Sequence, residues 1–204
     1  MEKKNESNKI LFAELPHLPG VLIIYRSPDE RTKSPERLNL DRRRLQVCPL
    51  LEGEDRLRLL NFQNNVITKI ENLVSLPNLI FLDLYNNKID KMCNLHTVPT
   101  LRVLMLGKNE ISRIEGLQGL EKLDVLDLHS NKIEKIENLE NLSTLRVLNL
   151  AGNTLREAIN LEGLSSLTEL NLRRNDIENV SLAIENVSSL QRVFLSHNRI
   201  VDFN

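Results

Sequence analysis

The side chains that could act as nucleophiles, general bases or metal ligands are few in this sequence, and they form no motif. The chain has 204 residues, with four histidines and two cysteines. These residues are His17, His96, His129, His197, Cys48 and Cys93. Two cysteines make neither a disulfide framework nor a metal site, and the histidines show no ligand spacing. No serine or cysteine stands in a motif that pairs it with a base. The sequence therefore predicts a protein that is not an enzyme and that needs no metal or cofactor.

The charge and hydropathy of the chain argue against two further classes of partner. Lys and Arg number 27 and Asp and Glu number 28, so the formal net charge is -1. Nucleic-acid-binding domains usually carry a basic excess, which is absent here. No stretch approaches the ~20 apolar residues of a membrane span, and the polar N-terminus is a poor signal peptide. We therefore expect a cytoplasmic protein that binds neither nucleic acid nor membrane.

Asparagines recur at a fixed interval through most of the chain. The spacing is 22 residues five times and then 23 residues. The recurring residues are Asn65, Asn87, Asn109, Asn131, Asn153, Asn175 and Asn198. Each lies in the same frame, L-x-x-L-x-L-x-x-N-x-I, and the seven units begin at Leu57, Leu79, Leu101, Leu123, Leu145, Leu167 and Leu190. This frame is typical of leucine-rich repeats.

The spacing of apolar residues within one unit predicts its shape. Alternation in L-x-L gives a short strand with one face inward, and later apolar residues spaced by three suit a turn or short 3-10 segment. One coil cannot bury its leucines alone, whereas stacked coils share a continuous core. We predict an α/β solenoid, a right-handed leucine-rich-repeat horseshoe with one parallel strand per repeat and turns on the convex side. The recurring asparagines should form a buried ladder that satisfies backbone groups at the turn.

The frame also predicts the domain boundaries. Residues 57–204 make seven repeats, of which the last is incomplete, and residues 35–56 keep the frame weakly enough to be a degenerate N-terminal capping repeat. Residues 1–34 are polar and contain Ser-Pro pairs, which predicts a flexible arm, although residues 21–25 suit an isolated strand. No polar cap follows the last repeat. We expect either a longer protein, which we favour, or a partner that covers this end.

The outward side chains of the strands should form columns across the concave face. The candidate partner-binding residues in these columns are Phe81, Tyr85, Val103, Met105, Val125, His129, Val147 and Arg173. Exposed apolar patches usually mark contacts, and rings at Phe81 and Tyr85 are natural anchors. For the valines the alternative is that β-branched residues simply suit strands.

A short segment near the N-terminus offers a different function. Lys9, Ile10 and Phe12 fit the basic-aliphatic-x-aromatic pattern of peptides that dock on protein phosphatase one. Ile10 and Phe12 would point the same way from a strand added to the partner. A pattern this degenerate also matches by chance.

Two families resemble this sequence. The I-x-x-I-E-N-L units, as in residues 133–139, look like the leucine-rich-repeat regulatory subunit of protein phosphatase one. Residues outside the consensus resemble the leucine-rich-repeat subunit associated with the tubulin polyglutamylase complex. These are Val47-Cys48-Pro49, Gly53-Glu54-Asp55, Leu57-Arg-Leu-Leu-Asn-Phe62, Leu82-Asp-Leu-Tyr85, Leu123-Asp-Val-Leu-Asp-Leu-His129 and Leu167-Thr-Glu-Leu-Asn-Leu-Arg173.

The second resemblance spans residues 38–204, including the cap. It implies a non-catalytic scaffold in a complex that adds glutamates to tubulin, with complex subunits as direct partners and tubulin as an indirect one. It also implies association with the cytoskeleton at centrosomes, basal bodies or cilia. The alternative function is a targeting or regulatory subunit of protein phosphatase one.

Overall fold

The structure is a computed structural model that describes residues 10–180 and 182–201. Its strands, in chain order, are β1 (Ile10–Leu15), β2 (Leu18–Arg26), β3 (Arg37–Asn39), β4 (Leu50–Leu51), β5 (Leu59–Asn61), β6 (Phe81–Asp83), β7 (Val103–Met105), β8 (Val125–Asp127), β9 (Val147–Asn149), β10 (Glu169–Asn171) and β11 (Arg192–Phe194). Helix is scarce in these residues: α1 (Pro28–Lys33), α2 (Leu182–Glu185) and a 3-10 turn at Leu95–Thr97.

One parallel sheet carries the repeats. Its strand order is β11-β10-β9-β8-β7-β6-β5-β3, so each strand pairs with those of the adjacent repeats. Leu60, Leu82 and Leu104 are direct partners across β5, β6 and β7, which reproduces the 22-residue period as a spatial register. The predicted solenoid, with one short parallel strand per repeat and little helix elsewhere, is confirmed.

The core is a stack of leucine and isoleucine layers. In the first full repeat Leu57, Leu60, Phe62, Ile67 and Ile70 are all completely buried. Full burial of such side chains contributes ~1.5–3 kcal/mol each, but only when neighbouring coils cover both sides of the layer. Stacking therefore supplies most of the stability of each strand, since three residues are too few to persist alone.

The turns of each coil depend on left-handed backbone. The residue before each ladder asparagine has a positive φ of 52° to 68° in the seven repeats. A second series of positive-φ residues opens the convex turn: Asn72, Asn94, Gly116, Asn138 and Asn160. Asparagine and glycine adopt this conformation at the least cost. Asn138 also donates a hydrogen bond of 2.6 Å to the Ile114 carbonyl, so this side chain ties one repeat to the preceding one.

Residues 10–33 differ from the flexible arm that the sequence predicted. β1 and β2 form an antiparallel hairpin. β2 also pairs with β4, in parallel, with Ile23 opposite Leu50. α1 follows and begins at the N-cap Ser27. Ile24 joins the solenoid core, so the segment is ordered by burial against the capping repeat rather than left in solvent. The strand considered for residues 21–25 exists but is not isolated, and residues 1–9 lie outside the described part.

The capping repeat stacks in the frame of the others. β3 pairs with β5 in the same 22-residue register, with Leu38 opposite Leu60. Leu40, Cys48 and Leu51 are completely buried at core positions of the cap. Burial raises the pKa of the Cys48 thiol to about 12, so this cysteine packs as a small apolar residue.

A buried ion pair fastens the hairpin to the cap. Glu54 occupies the core position that is apolar in every later repeat: Leu76, Val98, Leu120, Leu142, Leu164 and Val187. Its carboxylate accepts two hydrogen bonds from the Arg26 guanidinium, one of them 2.8 Å long. Arg26 also donates to the carbonyls of Ser34 and Arg37. The N-terminal end of the core is therefore covered by the buried Arg26–Glu54 ion pair rather than by another apolar side chain.

The last repeat is less buried than the others. The sixth unit is one residue longer, and a single helical turn, α2, lies in it. Leu190, Val193 and Leu195 are only half-buried, whereas their equivalents one repeat earlier, Leu167 and Leu170 among them, are fully buried.

We expect hydrogen exchange to follow this difference in burial. Backbone amides from Leu190 to Ile200 should exchange fastest within the repeats, because an uncovered core layer opens locally at low free energy. Amides of β7 and β8, in the centre of the array, should exchange slowest. Hydrogen exchange followed by mass spectrometry of the monomer measures both. Equal protection of β8 and β11 would contradict the expectation.

Candidate protein-interaction surface

The ladder asparagines are structural. Six of them, Asn65 through Asn175, are 6–9% exposed. Asn131 donates to the carbonyls of Leu106 and Leu128 at 3.0 and 2.9 Å, and its side-chain oxygen accepts from the Ile111 amide at 3.0 Å. The others repeat this arrangement, so the amide of each ladder asparagine satisfies backbone groups at the turn of its own repeat and of the preceding one. A partner therefore does not contact this row.

The concave face, which the parallel sheet lines, carries an apolar stripe. We give this name to Leu59, Phe81, Val103, Val125 and Val147, which are direct neighbours across β5 to β9. All five are half-buried, so part of each side chain faces solvent. At ~4.8 Å per strand, the stripe is about 19 Å long.

Tyr85 and His129 cover the middle of the same face. Their ring centroids are 5.6 Å apart and their planes are tilted by 30°. Gly107 lies between them, and a Cβ on it would stand 2.3 Å from the His129 ring. Because Gly107 has no side chain, Tyr85 and His129, which lie two repeats apart, can pack against each other. The Lys108 ammonium lies 5.2 Å from the Tyr85 ring centroid.

Asp and Asn residues at the ends of the strands have a role that the sequence reasoning missed. The Asp127 carboxylate accepts the His129 amide at 2.9 Å and approaches its ring Nδ1 at 2.6 Å. Asp83 accepts the Tyr85 amide at 2.9 Å in the same way. Such side chains satisfy a backbone donor two residues on and so shape the turn. The recurrence of Asn or Asp directly after the buried strand leucine, in five of the seven repeats, was the available signal.

Asp83 has an unusual electrostatic environment. Burial raises the pKa of its carboxyl group, and the negative charges of Asp127 and Asp41 raise it further, while the hydrogen bond from Tyr85 opposes them. Among the described residues no Lys, Arg or His forms an ion pair with Asp83. The other concave carboxylates do have such contacts: Asp127 with His129, and Asp41 with Arg42.

The structure separates Arg173 from the other candidate residues. Its guanidinium lies over the Phe194 ring, 4.2 Å from the centroid, at the C-terminal end of the face. Arg192 and Glu169 form an ion pair of 2.7 Å on the same strands. This end is therefore a charged cluster. Phe81 and Val103 are direct neighbours across β6 and β7, and Met105 lies beside Asp83 in the next column, on the face that also carries Tyr85 and His129. Arg173 lies apart from them, at the C-terminal end of this face.

The segment considered for phosphatase docking lies in the N-terminal hairpin. Ile10 and Phe12 belong to β1, opposite Arg26 and Ile24 of β2, and Lys9 lies outside the described residues. Ile10 packs against the solenoid core, whereas Phe12 is 40% exposed. One of the two apolar anchors of that motif is therefore engaged within the chain.

Within residues 10–180 and 182–201, no group of three or more His, Cys, Asp or Glu side chains is placed to hold a metal ion. None of the helices in the same residues has the length and apolarity that a membrane span needs. Cys48 and Cys93 are both free thiols.

Comparison with known proteins agrees with the fold. The family described as Leucine Rich repeats (2 copies) matches residues 55–95 and 99–141. Together with the parallel solenoid and its asparagine ladder, this match shows that residues 55–141 are built of leucine-rich repeats. Among curated proteins the chain is similar to leucine-rich repeat-containing protein 49 of Mus musculus, with 54% identity over 64 residues. The human protein of that name is 53% identical over 62 residues. The mouse match covers 31% of this chain and 9% of the relative, so the chain matches only a small part of its length.

Solved structures of other proteins share the architecture. An internalin (inlF) of Listeria monocytogenes matches with a TM-score of 0.67 and 29% identity, over 74% of this chain and 44% of that one. A chain of the octameric complex of latrophilin 3, Unc5D and the leucine-rich repeats of FLRT2 matches with a TM-score of 0.68 and 30% identity. That match covers 77% of this chain and 50% of the other. The repeats are thus those of a protein-interaction scaffold.

Proposed function

We propose that this chain is a non-catalytic scaffold whose concave face binds a protein subunit of a tubulin polyglutamylase complex. The observation that supports this choice of binding surface is that the apolar stripe lies on the same face as the Tyr85–His129 pair. Phe81, Val103 and Met105 adjoin these rings on the same face. Half-buried aromatic and aliphatic groups on a rigid sheet bind with little ordering cost, and aromatic anchors dominate such interfaces.

The identity of the complex rests on resemblance. Residues outside the repeat consensus, in the cap and on several strands, are similar to the leucine-rich-repeat subunit associated with tubulin polyglutamylase. The cap residues among them include Glu54, which the structure places in the buried ion pair. A scaffold of this kind would act in the cytoplasm, next to centrosomal or ciliary microtubules, and would reach tubulin through the ligase rather than directly.

We expect the double substitution Phe81→Ala, Tyr85→Ala to abolish most of the binding while the fold remains intact. Each ring contributes ~2 kcal/mol or more when it anchors an interface, whereas neither belongs to the fully buried core. The measurement is recovery of polyglutamylase subunits from cells with the tagged chain, wild type against variant. Circular dichroism verifies that the variant is folded.

Lys122→Ala is the matched control, because Lys122 is exposed and lies away from the strands of the concave face. It should leave recovery unchanged. Undiminished recovery with the double variant would place the binding surface elsewhere. Recovery of a phosphatase catalytic subunit instead, lost on Phe12→Ala, would favour the phosphatase function over the polyglutamylase one.

A further inference from the structure

The concave face has a pattern of charge that restricts what can cover it. From β5 to β9 its outward side chains include two carboxylates, Asp83 and Asp127, and neither Lys nor Arg. The nearby cations lie outside these columns, and two of them have contacts of their own. Arg146 forms an ion pair with Asp124, and the Lys108 ammonium lies over the Tyr85 ring.

Asp83 lies at the centre of this pattern. It is half-buried between Asn61 of β5 and Met105 of β7, its direct neighbours in the sheet, and it follows Phe81 on its own strand. Tyr85 donates its amide to one carboxylate oxygen. A hydrogen bond from one amide leaves most of the acceptor capacity of a carboxylate unused.

A partner that covers the apolar stripe must also cover Asp83. Removing an unpaired carboxylate from water is strongly unfavourable, so it either acquires a cation or takes up a proton. A Lys or Arg side chain of the partner would supply the cation, because its methylene groups can lie along Phe81 and Met105 while its charged end reaches the carboxylate.

We propose that the protein partner of the concave face inserts one basic side chain, Lys or Arg, against Asp83, beside apolar residues that cover the stripe. The inference rests on the proposed function, in that the concave face must be the binding surface. It adds the chemistry of the partner: an apolar segment with a basic residue at its centre. Burial and the charges of Asp127 and Asp41 raise the pKa of Asp83, in agreement with a carboxylate that has no ion pair among the described residues.

The test is selection of random peptides, displayed on phage, against the whole immobilised chain. Peptides that bind wild type should share a Lys or Arg flanked by apolar residues. A selected peptide should bind Asp83→Asn about tenfold more weakly or worse, because the buried pair is lost. Asparagine can still accept the Tyr85 amide, so the turn is retained. Asp90→Asn is the control, since Asp90 is an exposed aspartate outside the concave columns, and it should bind as wild type does.

The dependence of affinity on pH gives a second readout. Binding to wild type should weaken as the pH falls through the pKa of Asp83, because the protonated acid no longer attracts the cation. Other charged groups near Asp83 are Asp41, Asp127, His129 and Lys108, with the Tyr85 phenol also close. All of them remain in Asp83→Asn, so the difference between the two titrations reports Asp83 together with its coupling to Asp41 and Asp127.

Three outcomes would overturn the proposal. Apolar peptides without a basic residue, equal affinity for Asp83→Asn, or binding that tightens at acid pH only when Asp83 is present would each exclude a paired cation. In these cases loss of binding on Phe81→Ala, Tyr85→Ala would still support the concave face. If no enriched peptide depends on those two rings for binding, both the proposed function and the proposed basic side chain of the partner are contradicted.

Discussion

Glu54→Leu should lower the free energy of unfolding by about 3–5 kcal/mol, although leucine is the residue that the repeat frame favours at this position. Arg26 and Glu54 have side chains that are 1% and 3% exposed. Removing the carboxylate leaves the guanidinium buried without its counter-charge, because its two remaining acceptors are neutral carbonyls. Urea denaturation followed by circular dichroism measures the change.

Two variants act as controls for this result. Glu137→Leu breaks the exposed pair with Arg113, whose side chain is 61% exposed, and should change stability little, since solvent screens surface pairs. The double substitution Arg26→Leu, Glu54→Leu should recover part of the loss, because it removes both fully buried charges and leaves only the partly exposed Arg31, which also pairs with Glu54, without its partner. Wild-type stability for Glu54→Leu alone would mean that water reaches Arg26.

Asn131→Ala should destabilise the chain by about 1–3 kcal/mol, because the buried Ile111 amide loses its acceptor and the Leu106 and Leu128 carbonyls each lose one of two side-chain donors. Alanine can occupy the same backbone conformation, so the loss is mainly one of hydrogen bonds. Thermal or urea denaturation gives the difference in free energy.

The matched control is Asn149→Ala, on the concave side of β9. The Asn149 side chain accepts one hydrogen bond, from the Ala151 amide at 3.2 Å, and is half-buried, so its removal should have a much smaller effect. Equal losses for the two variants would show that the ladder contributes no more than a turn residue does.

The repeats could be predicted from the sequence because each is specified locally and repeatedly. The 22-residue period indicates the strand, the ladder asparagine and the turn of every unit. Where one unit departs from the pattern, the adjacent units still show where its elements lie. The hairpin of β1 and β2 occurs once, so it offers no such redundancy. Its stability comes from Ile24 in the core and from Arg26 meeting Glu54, a contact between residues 28 apart that no local pattern indicates.

The concave columns were predictable for a similar reason, since alternation along a strand decides which side chains point outward. What those side chains do depends on packing between repeats. Tyr85 and His129 are 44 residues apart and meet only because Gly107 has no side chain. Arg173 was grouped with them by its column, but its contact with Phe194 sets it in another cluster. The turn-forming role of Asp127, by contrast, follows a local pattern, because Asn or Asp recurs directly after the buried strand leucine.

The reach of the ladder has a consequence for how such a chain can change in length. Asn131 bonds to its own turn and to the repeat immediately before it, and Asn109 and Asn153 do the same. No hydrogen bond of the ladder skips a unit. A whole unit can therefore be duplicated or excised at these joints with every donor and acceptor still matched, whereas an insertion of part of a unit would break the row. The number of repeats can therefore vary while each repeat keeps the same fold. The length of the surface available to a partner varies with it.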